Sequence, residues 1–169
     1  MERGDYAFGA IFLLVVACLS AAANIKIGTI DRNGAVAAAI DASYAQVAGV
    51  TKLREIDSDG PPFSLCVEST VPLNVQRIAA EFNDTLIRPI PLAACSSKIG
   101  EGFGMFSSVI RYFDASGNDA GHVRVEKVEC ESSTRCAVDL AFLSHSTRYM
   151  VRLIGGEWIF DSERLLRIV

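Results

Sequence analysis

The sequence predicts an α+β domain: two amphipathic helices packed on a bent, mainly antiparallel sheet of four to six strands. Three observations lead there. Val36, Ile40, Tyr44 and Val47 recur at four, four and three residues, the spacing of one helix face. Val75, Ile78, Ala79 and Phe82 form a second such stripe behind Pro72, a residue tolerated in a first helical turn. From Val123 onward the apolar residues alternate instead, the period of a strand with one face buried.

The chain opens on a stretch unlike the rest. Ala7 to Ala23 carries no charge, Ile11 to Val16 is strongly apolar, and Ser20-Ala21-Ala22-Ala23 supplies the small residues a signal peptidase accepts. Residues 1–23 therefore read as a signal peptide and 24–169 as a single domain. A retained anchor is the alternative, although the run is short of the ~20 residues of a spanning helix. A lipid anchor at Cys18, behind Val15-Val16-Ala17, is a third reading.

Removing Cys18 leaves four cysteines, Cys66, Cys95, Cys130 and Cys136. An even set in an exported chain reads as disulfides. Cys130 and Cys136 flank a five-residue loop at a hairpin end, a spacing that permits direct facing, and Cys66 is then left to Cys95. The spacings give no zinc motif, so no metal and no cofactor is expected. Residues 24–169 carry 15 Lys and Arg against 18 Asp and Glu, a net charge of −3. Such mild acidity gives no reason to expect nucleic acid as a partner. Nor is a membrane expected once the leader is gone, unless Cys18 is lipid-anchored.

Taken in order, Asp31 or Asn33 caps the first helix, which fades before the breaker Asp57 to Pro62. Phe63 to Val67 reads as a short buried strand, the second helix follows Pro72, and Leu86 to Ile90 is a second short strand. A strand near Phe106 to Phe113 leads into the turn Ser116-Gly117-Asn118. Val123 and Val125 alternate but Val128 breaks parity, so one extra residue is expected at Glu126-Lys127, a β-bulge that would bend the sheet. Gly155-Gly156 can take the positive φ of a two-residue hairpin turn, setting Leu153 opposite Trp158 and Val151 opposite Phe160. A four-residue turn at Ser144–Thr147 would then set Tyr149 opposite Phe142, Val151 opposite Leu140 and Asp139 opposite Arg152.

That register sorts the candidate residues by face. Tyr44, Phe142, Tyr149, Trp158 and Phe160 would line the inner face beneath the first helix, as core or as the wall of a small pocket for an apolar ligand. Asp139, Ala141, Leu143, Met150, Arg152 and Ile159, with Arg124 and His122 further along, would form an outer face able to bind a protein partner or a second copy. His122 and His145, the two histidines, are expected to be solvated and without a placed catalytic partner. Gly100-Glu101-Gly102-Phe103-Gly104 is followed by a strand pattern, so it reads as a connector and not a phosphate loop. Asn83-Asp84-Thr85 is a sequon, meaningful in a eukaryotic secretory pathway.

The ending Tyr149-x-Val151-x-Leu153-x-Gly155-Gly156-x-Trp158-x-x-Asp161, after helices and an antiparallel sheet, resembles the last hairpin of the NTF2-like (cystatin-like) cone. The resemblance implies a cone over residues 31–169 and a superfamily of isomerases, dehydratases, transport factors and structural modules. With no nucleophile, base or metal set in place, the sequence favours a small exported, non-enzymatic binding or interaction module. The alternatives are an NTF2-like isomerase or hydratase with a small apolar pocket, and an envelope inhibitor or immunity protein.

Overall fold

The computed structural model describes residues 30–51, 62–82, 86–101, 108–142 and 144–168. The expected leader, the sequon, Leu143 and the centre of the glycine-rich connector lie outside them. Helix α1 spans Arg32–Thr51. Strand β1 (Phe63–Ser69) follows, then the short helix α2 (Val75–Ala80), strand β2 (Ile87–Pro91) and a 3-10 turn at Leu92–Ala94. The remaining strands are β3 (Ser96–Glu101), β4 (Ser108–Phe113), β5 (Asp119–Ser132), β6 (Arg135–Ala141), β7 (His145–Ile154) and β8 (Glu157–Ile168).

This corrects the expected fold class. The sheet has eight strands and is mixed, in the order β2-β1-β5-β6-β7-β8, with β3 on β4 and β4 on the start of β5. Strand β1 runs parallel to both β2 and β5. Among the described residues one helix, not two, is long enough to pack along the sheet, because α2 is only six residues. Its start is set by Asn74, whose side chain accepts the Arg77 N–H at 3.0 Å, so Pro72 lies outside it. Ile78 and Phe82 still point inward and are buried. Strand β3 escapes the alternation test because Ile99 is its one large apolar side chain and stands exposed.

Asp31 caps α1, accepting the Gly34 N–H at 3.2 Å, while Asn33 instead accepts the Asn74 N–H at 2.9 Å and ties the two helices together. The buried stripe of α1 is Ala35, Val36, Ala39, Ile40 and Ser43. Small side chains there let the helix lie close on the sheet, against Leu65, Val67, Val123, Val125, Val138, Leu140, Tyr149 and Val151. Gly121 marks the closest approach: a Cβ there would meet the Tyr44 hydroxyl at 2.6 Å.

Two register expectations hold and one does not. Gly155 and Gly156 have φ of 63° and 92°, Leu153 faces Trp158 and Val151 faces Phe160. The β5–β6 register shifts between Val125 and Lys127, so the bulge lies where parity required it. The β6–β7 turn, however, is tighter than expected. Phe142 donates its N–H to the His145 carbonyl at 2.8 Å, and Tyr149 faces Val138, Val151 faces Cys136, and Asp139 faces Arg148, with Arg152 opposite Arg135. The slip is four residues, an even number, so every side chain keeps the face that parity assigned it.

Both disulfides join the expected partners, Cys66–Cys95 with Cα atoms 6.3 Å apart and Cys130–Cys136 at 4.0 Å across the β5–β6 ladder. The first holds the 3-10 turn against Cys66 on the outer side of β1, where Ser64 is bonded to Asp114 at 3.0 Å. Leu65 and Val67 face the core, so four consecutive residues, Ser64 to Val67, are buried.

Candidate binding site: the free edge of the last strand and its groove

The outer face is a lattice of ion pairs. Asp139 is buried beneath Arg148, which donates to both of its oxygens at 2.6 and 2.8 Å and reaches Glu129 at 3.2 Å. Glu126 gathers Arg124 at 3.0 Å, Ser146 at 3.0 Å and Arg167. Arg152 and Arg135 share Asp161, at 2.7 and 3.9 Å. Of the six outer-face candidates, then, Asp139 and Ala141 are buried, Met150 is half-buried and Arg152 is spent on Asp161. Ile159 alone offers an exposed apolar surface, on β8; Leu143 is outside the described residues.

His122 is not the solvated residue that parity suggested. Its ring lies flat on Tyr112, centroids 4.3 Å apart and planes within 5°, and its Nε2 is 3.1 Å from Glu68. Burial holds its pKa below the usual imidazole value against the opposing pull of Glu68. This set joins β1, β4 and β5, the strands around the Cys66–Cys95 unit. His145 rests on Phe142 at 5.2 Å and meets the Ser144 hydroxyl at 3.2 Å. Neither histidine is joined to a Ser–carboxylate pair by any of these contacts.

The five inner-face aromatics do not converge on one cavity. Tyr149 is core, and burial, with Glu163 adding to it, pushes its phenol up to about 12. Tyr44 lies beside Gly121, its phenol raised by burial to about 12. Phe142 is occupied by His145. Trp158 and Phe160 are different: both open onto the groove between α1 and β8.

That groove has two connected parts. One, of about 280 Å³, lies between Asp31, Gly34, Ala37, Ala38 and Asp41 of the first helix and its cap, Glu81 and Phe82, and Gly156 to Trp158. The other, of about 410 Å³, continues past Ala42 and Ala45 to Ile159 and Phe160. Its floor is alanine and aromatic; its rim carries Asp31, Asp41, Glu81 and Glu157. Trp158 Nε1 is the one buried side-chain nitrogen or oxygen among the described residues that has no hydrogen-bond partner.

The groove ends on an open sheet edge. Among the described residues β8 pairs only with β7. It is twelve residues long and exposes Ile159 (37%), Phe160 (42%), Leu165 (55%), Leu166 (38%) and Ile168 (78%). The Leu153 N–H bonds the Thr134 carbonyl at 2.9 Å, away from β8, so Leu153 and Trp158 are a non-hydrogen-bonded pair. The N–H groups of Trp158 and, two residues on, Phe160 therefore point at the free edge. The opposite end of the sheet is guarded: β2 is five residues and contains Pro89 and Pro91, which lack the donors that pairing needs. Strand β8 contains neither proline nor lysine.

Alternation gave the strand and the hairpin but not its place at the edge, which depends on a parallel insertion of β1 far away in sequence. The run Leu165-Leu166-x-Ile168, apolar on both faces, was the available signal. Among the described residues no helix is long and apolar enough to cross a membrane. No family model, curated protein or solved structure matches the chain, so the NTF2-like resemblance rests on the residues of the last hairpin alone.

Proposed function

We propose that this is an exported, disulfide-bearing, non-enzymatic binding module that works by strand addition, taking an extended segment onto the free edge of β8. The observation that carries the reading is the twelve-residue edge itself, unpaired among the described residues, rich in exposed apolar side chains and free of the prolines that protect β2. An added strand gains main-chain hydrogen bonds from the edge and side-chain specificity from alternate positions. Here the alternate positions would fall into the alanine-floored groove beside Trp158, and the acidic rim favours a segment mixing apolar with basic residues. The two disulfides support an oxidising compartment, periplasmic or extracellular, and brace β1, β5 and β6 behind the edge.

Trp158 is the chain's single tryptophan, so it reports on this site alone. Titration with extended peptides alternating apolar residues and lysine should shift its emission saturably, and Leu165→Lys should abolish the change. If no such peptide shifts the emission or slows hydrogen exchange at the Trp158 and Phe160 amides, the strand-addition reading is wrong.

A further inference from the structure

The sequence of β8 is close to a palindrome once its faces are assigned. Trp158, Phe160, Glu163, Leu165 and Ile168 stand opposite Leu153, Val151, Tyr149, Thr147 and His145, and so face inward. Ile159, Ser162, Arg164 and Arg167 stand opposite Arg152, Met150, Arg148 and Ser146, and face outward. The register shifts at Met150/Val151 and Ser146/Thr147 make Asp161 and Leu166 the extra residues of two bulges. Outward from Glu163, the inward series is then Leu165 and Ile168 on one side and Phe160 and Trp158 on the other.

We infer that the segment the edge takes is β8 of a second copy, in an antiparallel pairing centred on Glu163 that joins two sheets into one across a two-fold axis. This rests on the strand-addition reading and names its partner. A two-fold axis normal to a sheet keeps each residue on its own face, so opposed residues must share a face, and one residue must meet itself. Centring on Glu163 opposes Phe160 with Leu165 and Trp158 with Ile168, and brings the bulge at Asp161 and Ser162 to Arg164, an opposite-charge match. Moving the centre by one position sets Phe160 against Glu163, or Leu165 against Glu163, and leaves one inward apolar pair, Trp158 with Leu165 or Phe160 with Ile168, where centring on Glu163 gives two. The pairing covers the exposed side chains of Phe160, Leu165 and Ile168 together.

The cost is a like-charge pair, Glu163 facing Glu163, and it supplies the test. Sedimentation velocity on the oxidised protein should show a reversible dimer. Leu165→Lys, met twice across the axis, should weaken it roughly 10- to 100-fold. Glu163→Gln should tighten it roughly two- to fivefold by removing the repulsion. Glu163→Lys keeps a like-charge pair, so alone it gains nothing. Mixed with isotope-labelled wild type, however, it should form mixed dimers in excess of the statistical half by native mass spectrometry. A monomer at every concentration overturns the inference, as does a dimer indifferent to Leu165→Lys or a statistical mixture. A monomer that still binds extended peptides removes self-pairing and leaves strand addition standing; a monomer that binds none removes both. Protected β8 amides in a monomer would assign the edge to another segment of the same chain, which also overturns it.

Discussion

Replacing Gly34 by alanine should destabilise this protein, although the same change in an ordinary helix position stabilises it. Alanine is favoured over glycine by about 0.8–1.0 kcal/mol in a helix interior. At Gly34, near the start of α1, that gain is opposed by contact. A Cβ would sit 2.7 Å from Trp158 Cδ1 and 2.8 Å from Asp31 Oδ2. The first is about 1 Å inside the carbon–carbon optimum, so the indole or the helix must move. Overpacking of this kind costs about 1–3 kcal/mol. The second contact presses on the carboxylate that caps the helix at Gly34 N–H, and a lost cap adds about 1 kcal/mol. The net expectation is a loss of about 1–3 kcal/mol, with α1 shifted off the β7–β8 hairpin. Equilibrium urea unfolding of the oxidised protein, followed by Trp158 fluorescence and by circular dichroism, measures it. Ala45→Gly, on the exposed flank of α1, should lose only about the propensity difference. In a Trp158→Leu background, Gly34→Ala should cost far less, since the indole that opposes it is gone. A Gly34→Ala protein as stable as wild type, with unshifted emission, would refute the argument that this glycine exists to seat the indole.

Three further outcomes follow from the packing. Replacing Cys66 and Cys95 together by serine should cost about 3.6 kcal/mol from the loop they close, against roughly 2 kcal/mol for Cys130 and Cys136, measured by denaturant unfolding of each pair variant. Arg148→Ala strands the buried Asp139 carboxylate and should cost about 3 kcal/mol, more than Asp139→Ala at about 2 kcal/mol, whose guanidinium partner can still turn to Glu129; equal costs would mean the pair is solvated. Because burial depresses His122 when folded, the folded state binds fewer protons than the unfolded chain just below the usual imidazole pKa of about 6.5. Its contribution is thus fully present above that value and lost as pH falls toward the folded pKa. His122→Gln should lose less stability than wild type between neutral pH and the acid side of that window, by urea midpoints at each pH.

What was legible in the sequence was parity. Val123, Val125 and Val128 announced the bulge, and Gly155-Gly156 fixed the last hairpin, because both are local geometric necessities. The four-residue turn expected at Ser144 to Thr147 rests on their turn-like composition, yet Ser146 and Thr147 are buried in β7 and the strands pair four positions out of the expected register. Faces survived that slip; partners did not, so Asp139 was matched to Arg152 and not to Arg148. Strand direction left no trace in the pattern at all. Alternation in β1 is the same whether its neighbours run parallel or antiparallel, and the sheet therefore came out larger and more mixed than expected. His122 was misjudged for a related reason: parity gave its face, but Tyr112 and Glu68 reach that face from strands whose register was not readable.

The position of the binding edge follows from that same unreadable step. Strand β1 inserts beside β5 and carries β2 with it, so the sheet grows on one side until two prolines end it. Growth on the other side ends at β8, where no proline or lysine stops it. Aggregation through such an edge is normally resisted by placing charge on it, and β8 does carry charge at Asp161, Glu163, Arg164 and Arg167. Asp161 and Arg167 are bound into the outer lattice with Arg152, Arg135 and Glu126, and Arg164 stands on the same outward face opposite Arg148. Glu163 alone stands on the inward face among apolar neighbours. A single carboxylate there weakens pairing without forbidding it, which makes the edge suited to reversible contact instead of permanent assembly.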